Sequence, residues 1–150
     1  MDSTQFRETM AYAIEKEQEA VDAYTAAAGM VKHANIRDML LDLAKQEEGH
    51  KRRLMAVEMD GVADAHLRDI PDLKIAEYAA ETEFSPSMDY QAVLTVAMKR
   101  EEAARNLYQH LASISDESGL RQLFEFLAQE EARHKLLIEK EYDEHVLTEN

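Results

Sequence analysis

Gln46-Glu47-Glu48-Gly49-His50 returns 84 residues later as Glu130-Glu131-Ala132-Arg133-His134. Each copy is preceded by a glutamate with a tyrosine two helical turns beyond it, Glu17 with Tyr24 and Glu101 with Tyr108. The differences 101−17, 108−24, 131−47 and 134−50 all equal 84. Laid over residues 97–135 at that offset, residues 13–51 show eleven identities: Ala13, Glu17, Ala20, Tyr24, Ala28, Arg37, Leu43, Ala44, Glu47, His50 and Lys51. The pattern is a duplicated unit, and its polar identities fall on one face.

That unit reads as a helical hairpin. In the first segment Phe6, Met10, Ala13, Val21, Tyr24, Ala28 and Val31 recur in steps of three and four, the seam of an amphipathic helix, and Glu17 sits in the seam. Ile36, Leu40, Leu43, Leu54 and Val57 repeat the spacing in the second, with Glu47 and His50 in its vacancies. Tyr90, Leu94, Ala97, Ala104, Tyr108 and Leu111 frame Glu101 in the third. Leu120, Phe124, Leu127, Ile138 and Tyr142 frame Glu131 and His134 in the fourth. The expected helices are about 4–31, 35–60, 87–114 and 117–146, with Ser3 or Thr4 capping the first and Asn35 with Asp38 forming a capping box for the second. The two turns are short, so each hairpin is antiparallel. A crossover over 61–86 holds both prolines, Pro71 and Pro86, and is expected to contain a short helix from Asp72 to about Glu81. Strand signals are absent. The expectation is all-α: one domain over 1–150, a four-helix bundle of two duplicated antiparallel hairpins joined by a long crossover.

With no cysteine, the chain offers no disulfide, thiolate site or iron–sulfur cluster, so any metal must sit on oxygen and nitrogen. No leader or spanning segment is visible, which points to the cytoplasm. A formal charge of −14 disfavours nucleic acid and anionic membranes as partners.

Four seam carboxylates at close range are unfavourable by several kcal/mol per ion, on the order of a buried unpaired charge, unless something compensates them. Two divalent cations balance four carboxylates, and one imidazole per ion makes a donor set suited to iron or manganese rather than to structural zinc. The i, i+3 spacing puts Glu47 with His50, and Glu131 with His134, on one helical face. Glu47 and Glu131 are placed to bridge the ions, while Glu17 and Glu101 each cap one. Ala13 and Ala20 flank Glu17, and Ala97 and Ala104 flank Glu101, where room is wanted. Gly49 serves either that purpose or close helix packing. Tyr24 and Tyr108 are core tyrosines or groups that bond a ligand carboxylate or pass an electron. His33, His66, His110 and His145 read as surface residues, the methionines, Met10, Met39, Met55 and Met98 among them, as core filling, and Lys51-Arg52-Arg53 as a solvated face.

These residues resemble the ferritin-like di-iron carboxylate superfamily, most closely its rubrerythrin-like branch, over roughly Phe6 to Tyr142. Glu101 followed after 28 residues by Glu130-Glu131-Ala132-Arg133-His134 is similar to that family's E-x(28–37)-D-E-x-R-H pattern, with Glu130 in place of aspartate. The first half departs from it: Gln46 stands where an acid is expected and Gly49 where arginine is. Ala104 occupies the position of the extra carboxylate of rubrerythrins, and the cysteine-ligated rubredoxin module is absent. The resemblance implies two iron ions, a reaction with hydrogen peroxide or dioxygen, a separate electron-donor protein and a homodimer; the duplication of the pair makes Tyr24 and Tyr108 the candidate catalytic residues. Iron binding and delivery with little turnover, a monooxygenase reached through an apolar channel, and a metal-free interaction module are the other readings.

Overall fold

A computed structural model of the chain describes residues 3–59 and 83–144. Among these residues four helices make up the regular structure: α1 (Ser3–Met30), α2 (Ala34–Met59), α3 (Tyr90–Ile114) and α4 (Ser118–Tyr142). The all-α four-helix expectation holds among the described residues. The expected crossover helix at 72–81 lies outside them, as do Pro71, His66 and His145.

Local chemistry moves the helix starts. In place of an Asn35–Asp38 box, α2 is opened by His33, whose carbonyl accepts the Arg37 N–H at 3.0 Å and whose Nδ1 accepts the Ile36 N–H at 3.4 Å. The histidine expected to be idle at the surface is thus half-buried, with its ring against Tyr90. α3 starts at Tyr90 rather than Ser87. A turn closed from Met88 N–H to Ser85 O precedes it, and Asp89, extended at φ −75° and ψ 174°, accepts the Ala92 N–H at 2.8 Å. A carboxylate there satisfies a first-turn N–H that would otherwise lack a partner. Glu117 does the same for α4, accepting from Gly119 and Leu120 at 2.9 and 2.7 Å. A Cβ at residue 119 would come within 3.2 Å of that carboxylate, so glycine leaves the cap its space.

α1 packs on α2 and α3 on α4, each pair antiparallel across a short turn. The duplication persists in the contacts: Lys51 Nζ donates to Gln18 Oε1 at 2.6 Å, and 84 residues on Lys135 Nζ donates to Glu102 Oε2 at 3.1 Å. Between hairpins, Tyr24 meets Glu101 while Tyr108 meets Glu17, so α1 and α3 run antiparallel. His50 meets Glu131 while His134 meets Glu47, so α2 and α4 do too.

The apolar core falls into two clusters. One gathers Phe6, Met10, Leu54, Leu107, Leu111, Leu120, Phe124 and Leu127. The other gathers Ala27, Ile36, Leu40, Leu43, Val93, Leu94 and Ile138. The seam residues expected from periodicity supply most of both, with Val21, Val31, Val57, Tyr90, Ala104 and Tyr142 only half-buried. Among the methionines Met10 is fully buried, Met39 and Met98 are half-buried and Met55 is exposed, so the last is no core filler. Between the two clusters the bundle carries charge in place of hydrocarbon.

Candidate metal centre

At mid-bundle the seam positions of all four helices are polar and buried. Glu17, Glu47, His50, Glu101, Glu131 and His134 are each at most 5% exposed. One donor atom from each of Glu17, Glu47, His50 and Glu131 lies within 4.8 Å of the others, and the same holds for Glu47, Glu101, Glu131 and His134. The two sets share Glu47 and Glu131. Each set holds three carboxylates and one imidazole, drawn from both hairpins.

The histidines cross between hairpins. His50 Nδ1 lies 2.7 Å from Glu131 Oε1 and 3.7 Å from Glu47 Oε1, and His134 Nδ1 lies 3.1 Å from Glu47 Oε1 and 3.4 Å from Glu101 Oε2. Their rings stack at 5.7 Å and 5°. Glu17 Oε2, Glu47 Oε1, Glu101 Oε2, both Glu131 oxygens and both Nδ1 atoms are buried without an aligned hydrogen bond. Buried polar atoms in a native core are rarely left so, and seven converging on one volume are the donor set that a pair of cations satisfies. The residues present therefore fit two divalent ions.

Electrostatics of the metal-free cluster agree. Burial, then the Glu47 charge, raises Glu17 well above the carboxylate range, and burial with the charges of Glu101 and Glu47 does the same to Glu131. Glu47 is pushed up to about 8, by burial and then by Glu101. Burial presses Glu101 the same way, but the neighbouring Glu131 and His134 and the Tyr24 hydrogen bond outweigh it and hold this carboxylate below its usual value. Burial and the neighbouring His134 depress His50 to about 4. Burial thus favours the protonated form of Glu17, Glu47 and Glu131 and the neutral form of His50, the form in which an imidazole binds metal.

Tyr24 and Tyr108 are fully buried and hold the carboxylates of Glu101 and Glu17. Tyr24 Oη donates to Glu101 Oε1 at 2.8 Å, and Tyr108 Oη donates to Glu17 Oε1. Each tyrosine serves the glutamate of the opposite hairpin, a crossing that spacing within one helix does not reveal. Burial, followed by the charges of Glu101 and Glu17 respectively, raises both phenols well above 10, so they remain donors.

Gln46, which stands where the family pattern has an acid, reaches a histidine of the cluster. Its Oε1 lies 2.6 Å from His134 Nε2, and because an amide oxygen only accepts, Nε2 carries the proton and Nδ1 is left to face the carboxylates. The signal was its place next to Glu47, equivalent to Glu130. Glu130 itself is engaged by Arg133, which draws its carboxylate below the usual range. Gly49 does neither thing expected of it: it is exposed, and a Cβ there meets nothing within 4 Å. Of the basic run, Lys51 bonds Gln18, Arg52 lies near Glu48 and Arg53 stacks on Phe126 at 4.6 Å.

Two antiparallel hairpins whose first helices bring a glutamate and whose second bring Glu-x-x-His define a bundle of the ferritin-like fold. Within that class, residues 92–150, covering nearly all of α3 and the whole of α4, match the rubrerythrin family model. The match takes in Glu101, Glu131 and His134. The first hairpin, with Gln46 and Gly49, lies outside it. No curated protein and no solved structure matches the chain.

Proposed function

We propose that this chain is a non-haem di-iron oxidoreductase that reduces hydrogen peroxide or dioxygen. The observation that carries the reading is the pair of four-donor sets sharing Glu47 and Glu131. Glu17, Glu47, His50 and Glu131 would hold one ion, and Glu47, Glu101, Glu131 and His134 the other. Iron bound there supplies one electron per ion, so that H₂O₂, two electrons and two protons give two waters. The chain positions rather than reacts: Tyr24 and Tyr108 fix the terminal carboxylates, and Gln46 fixes the His134 ring. A separate electron-donor protein that returns the electrons is part of the proposal. A cytoplasmic homodimer completes the proposal.

The test is anaerobic loading with Fe²⁺ followed by stopped-flow mixing with H₂O₂ or O₂. Faster oxidation by peroxide, with iron retained, supports a rubrerythrin-like peroxidase. Preference for oxygen, with iron lost to solution, would move the reading to iron handling. No oxidation by either reagent would overturn it.

A further inference from the structure

The two faces of the bundle beside the centre are built differently. On the α2–α4 side the stacked rings of His50 and His134, the Gln46 contact and Arg53 over Phe126 close the surface. Between α1 and α3 lies a cavity of about 560 Å³. Ala20 and Ala23 line it from α1, and Ala103 and Ala104 from α3, all half-buried. Methyl groups stand where larger side chains would fill the gap. Ala13 and Ala97, the other flanking alanines, are instead fully buried in the core clusters. Of the four flanking alanines, Ala20 and Ala104 therefore leave room beside the glutamates and Ala13 and Ala97 do not.

The floor of this cavity is the candidate metal centre. Glu17, Glu47, Glu101 and Glu131 reach it, with Tyr24 and Tyr108, whereas neither histidine does. Glu17 Oε2, Glu101 Oε2 and both Glu131 oxygens are buried without a hydrogen bond beneath this floor, and alanines and Leu107 supply apolar wall above it. Charged groups stand at the wall: Lys16 with Glu19, Glu83, and Arg100, the 84-residue counterpart of Lys16.

Peroxide or dioxygen alone does not call for such a space, since a water takes about 30 Å³ of liquid volume. Pockets for cofactors and organic ligands run to about 300–1,000 Å³ and combine apolar walls with a few convergent polar groups. We infer that the α1–α3 cleft binds an apolar organic molecule, its body between the alanines and its polar end among Lys16, Glu19, Glu83 and Arg100. This deepens the di-iron reading, because the cleft is the side from which a molecule reaches the ions, but binding at the cleft stands on its own geometry.

The test uses N-phenyl-1-naphthylamine, an uncharged apolar fluorophore, with the full chain loaded with Zn²⁺. The native chain is expected to bind one probe saturably. A23L/A104L, filling the cleft from both walls, is expected to weaken binding about tenfold or more while still taking up two ions, and A56L, on the exposed side of α2, to leave it unchanged. A second measurement requires no variant: with Mn²⁺ in place of Zn²⁺, protons of the bound probe should broaden strongly, because the cleft ends at the ions. Absence of saturable binding, equal binding by the filled variant, or a probe unaffected by Mn²⁺ in a chain that holds two Mn²⁺ would overturn the inference. If the chain takes up no metal yet binds the probe and loses it on filling, the cleft stands and the di-iron reading falls.

Discussion

Gln46 is where the two halves of the centre differ most in chemistry. A histidine ligand is commonly oriented by a partner on its other nitrogen, and loss of such a partner typically weakens metal affinity about 10–100-fold. Gln46→Leu keeps the side-chain volume near its own but removes the oxygen that His134 Nε2 donates to. Stepwise metal titration against a competing chelator should show one ion weakened to that extent and the other nearly unaffected. Two unchanged affinities would dismiss Gln46 as a positioning residue. Gly49 has a different consequence: as an exposed glycine inside α2 with open space at its Cβ position, it costs the helix about 1 kcal/mol relative to alanine. Gly49→Ala should raise stability in urea denaturation of the metal-free chain by about that amount. A loss of stability would contradict the open space at residue 49.

At the level of elements, periodicity exposed the helices because each presents one face to the core, and the duplication exposed the six clustered polar residues because they interrupt that face at corresponding positions. The start of α3 was less legible. Ser85, Ser87 and Asp89 all offer capping oxygens, and only the turn from Ser85 to Met88 decides that Asp89 takes the role. Asp89→Ala should cost about 1 kcal/mol, read as a lowered thermal midpoint, while Ser87→Ala should cost little. The opening of α2 was hidden for a similar reason, since a histidine acts as a cap acceptor only where its ring is held, here against Tyr90. Contacts between hairpins were out of reach altogether. Repeat spacing relates residues within a hairpin, whereas the Tyr24–Glu101, Tyr108–Glu17 and Gln46–His134 bonds depend on how the hairpins dock. The α1–α3 cleft escaped for the same reason: Ala20 and Ala104 were read as room beside a ligand, but which helices stand apart is a property of the docked bundle.

For the molecule as a whole, the buried charges divide the core and tie folding to pH and to metal. In the metal-free chain Glu17, Glu47 and Glu131 have folded values above their unfolded ones. Their contribution to stability is full below 4.5 and is lost as pH rises, for Glu47 through about 8. His50 works in the opposite direction, its contribution being full above 6.5 and lost as pH falls through about 4. Glu101, held low, loses its contribution only as pH falls below 4.5. Between pH 6.5 and 8 the raised carboxylates therefore decide the slope, and the thermal midpoint of the metal-free chain should fall across that window. Divalent ions compensate the same carboxylates, so loading should raise the midpoint most at the alkaline end and release protons as it does so. A flat profile that metal leaves unchanged would contradict this account of the core.

The most direct measurement of the central claim is anaerobic Fe²⁺ titration of the native chain beside Glu47→Ala and Glu131→Ala. Because both carboxylates belong to both donor sets, the native chain should bind two ions and each variant should lose both. Two tightly held ions in both variants, or none in the native chain, would contradict it.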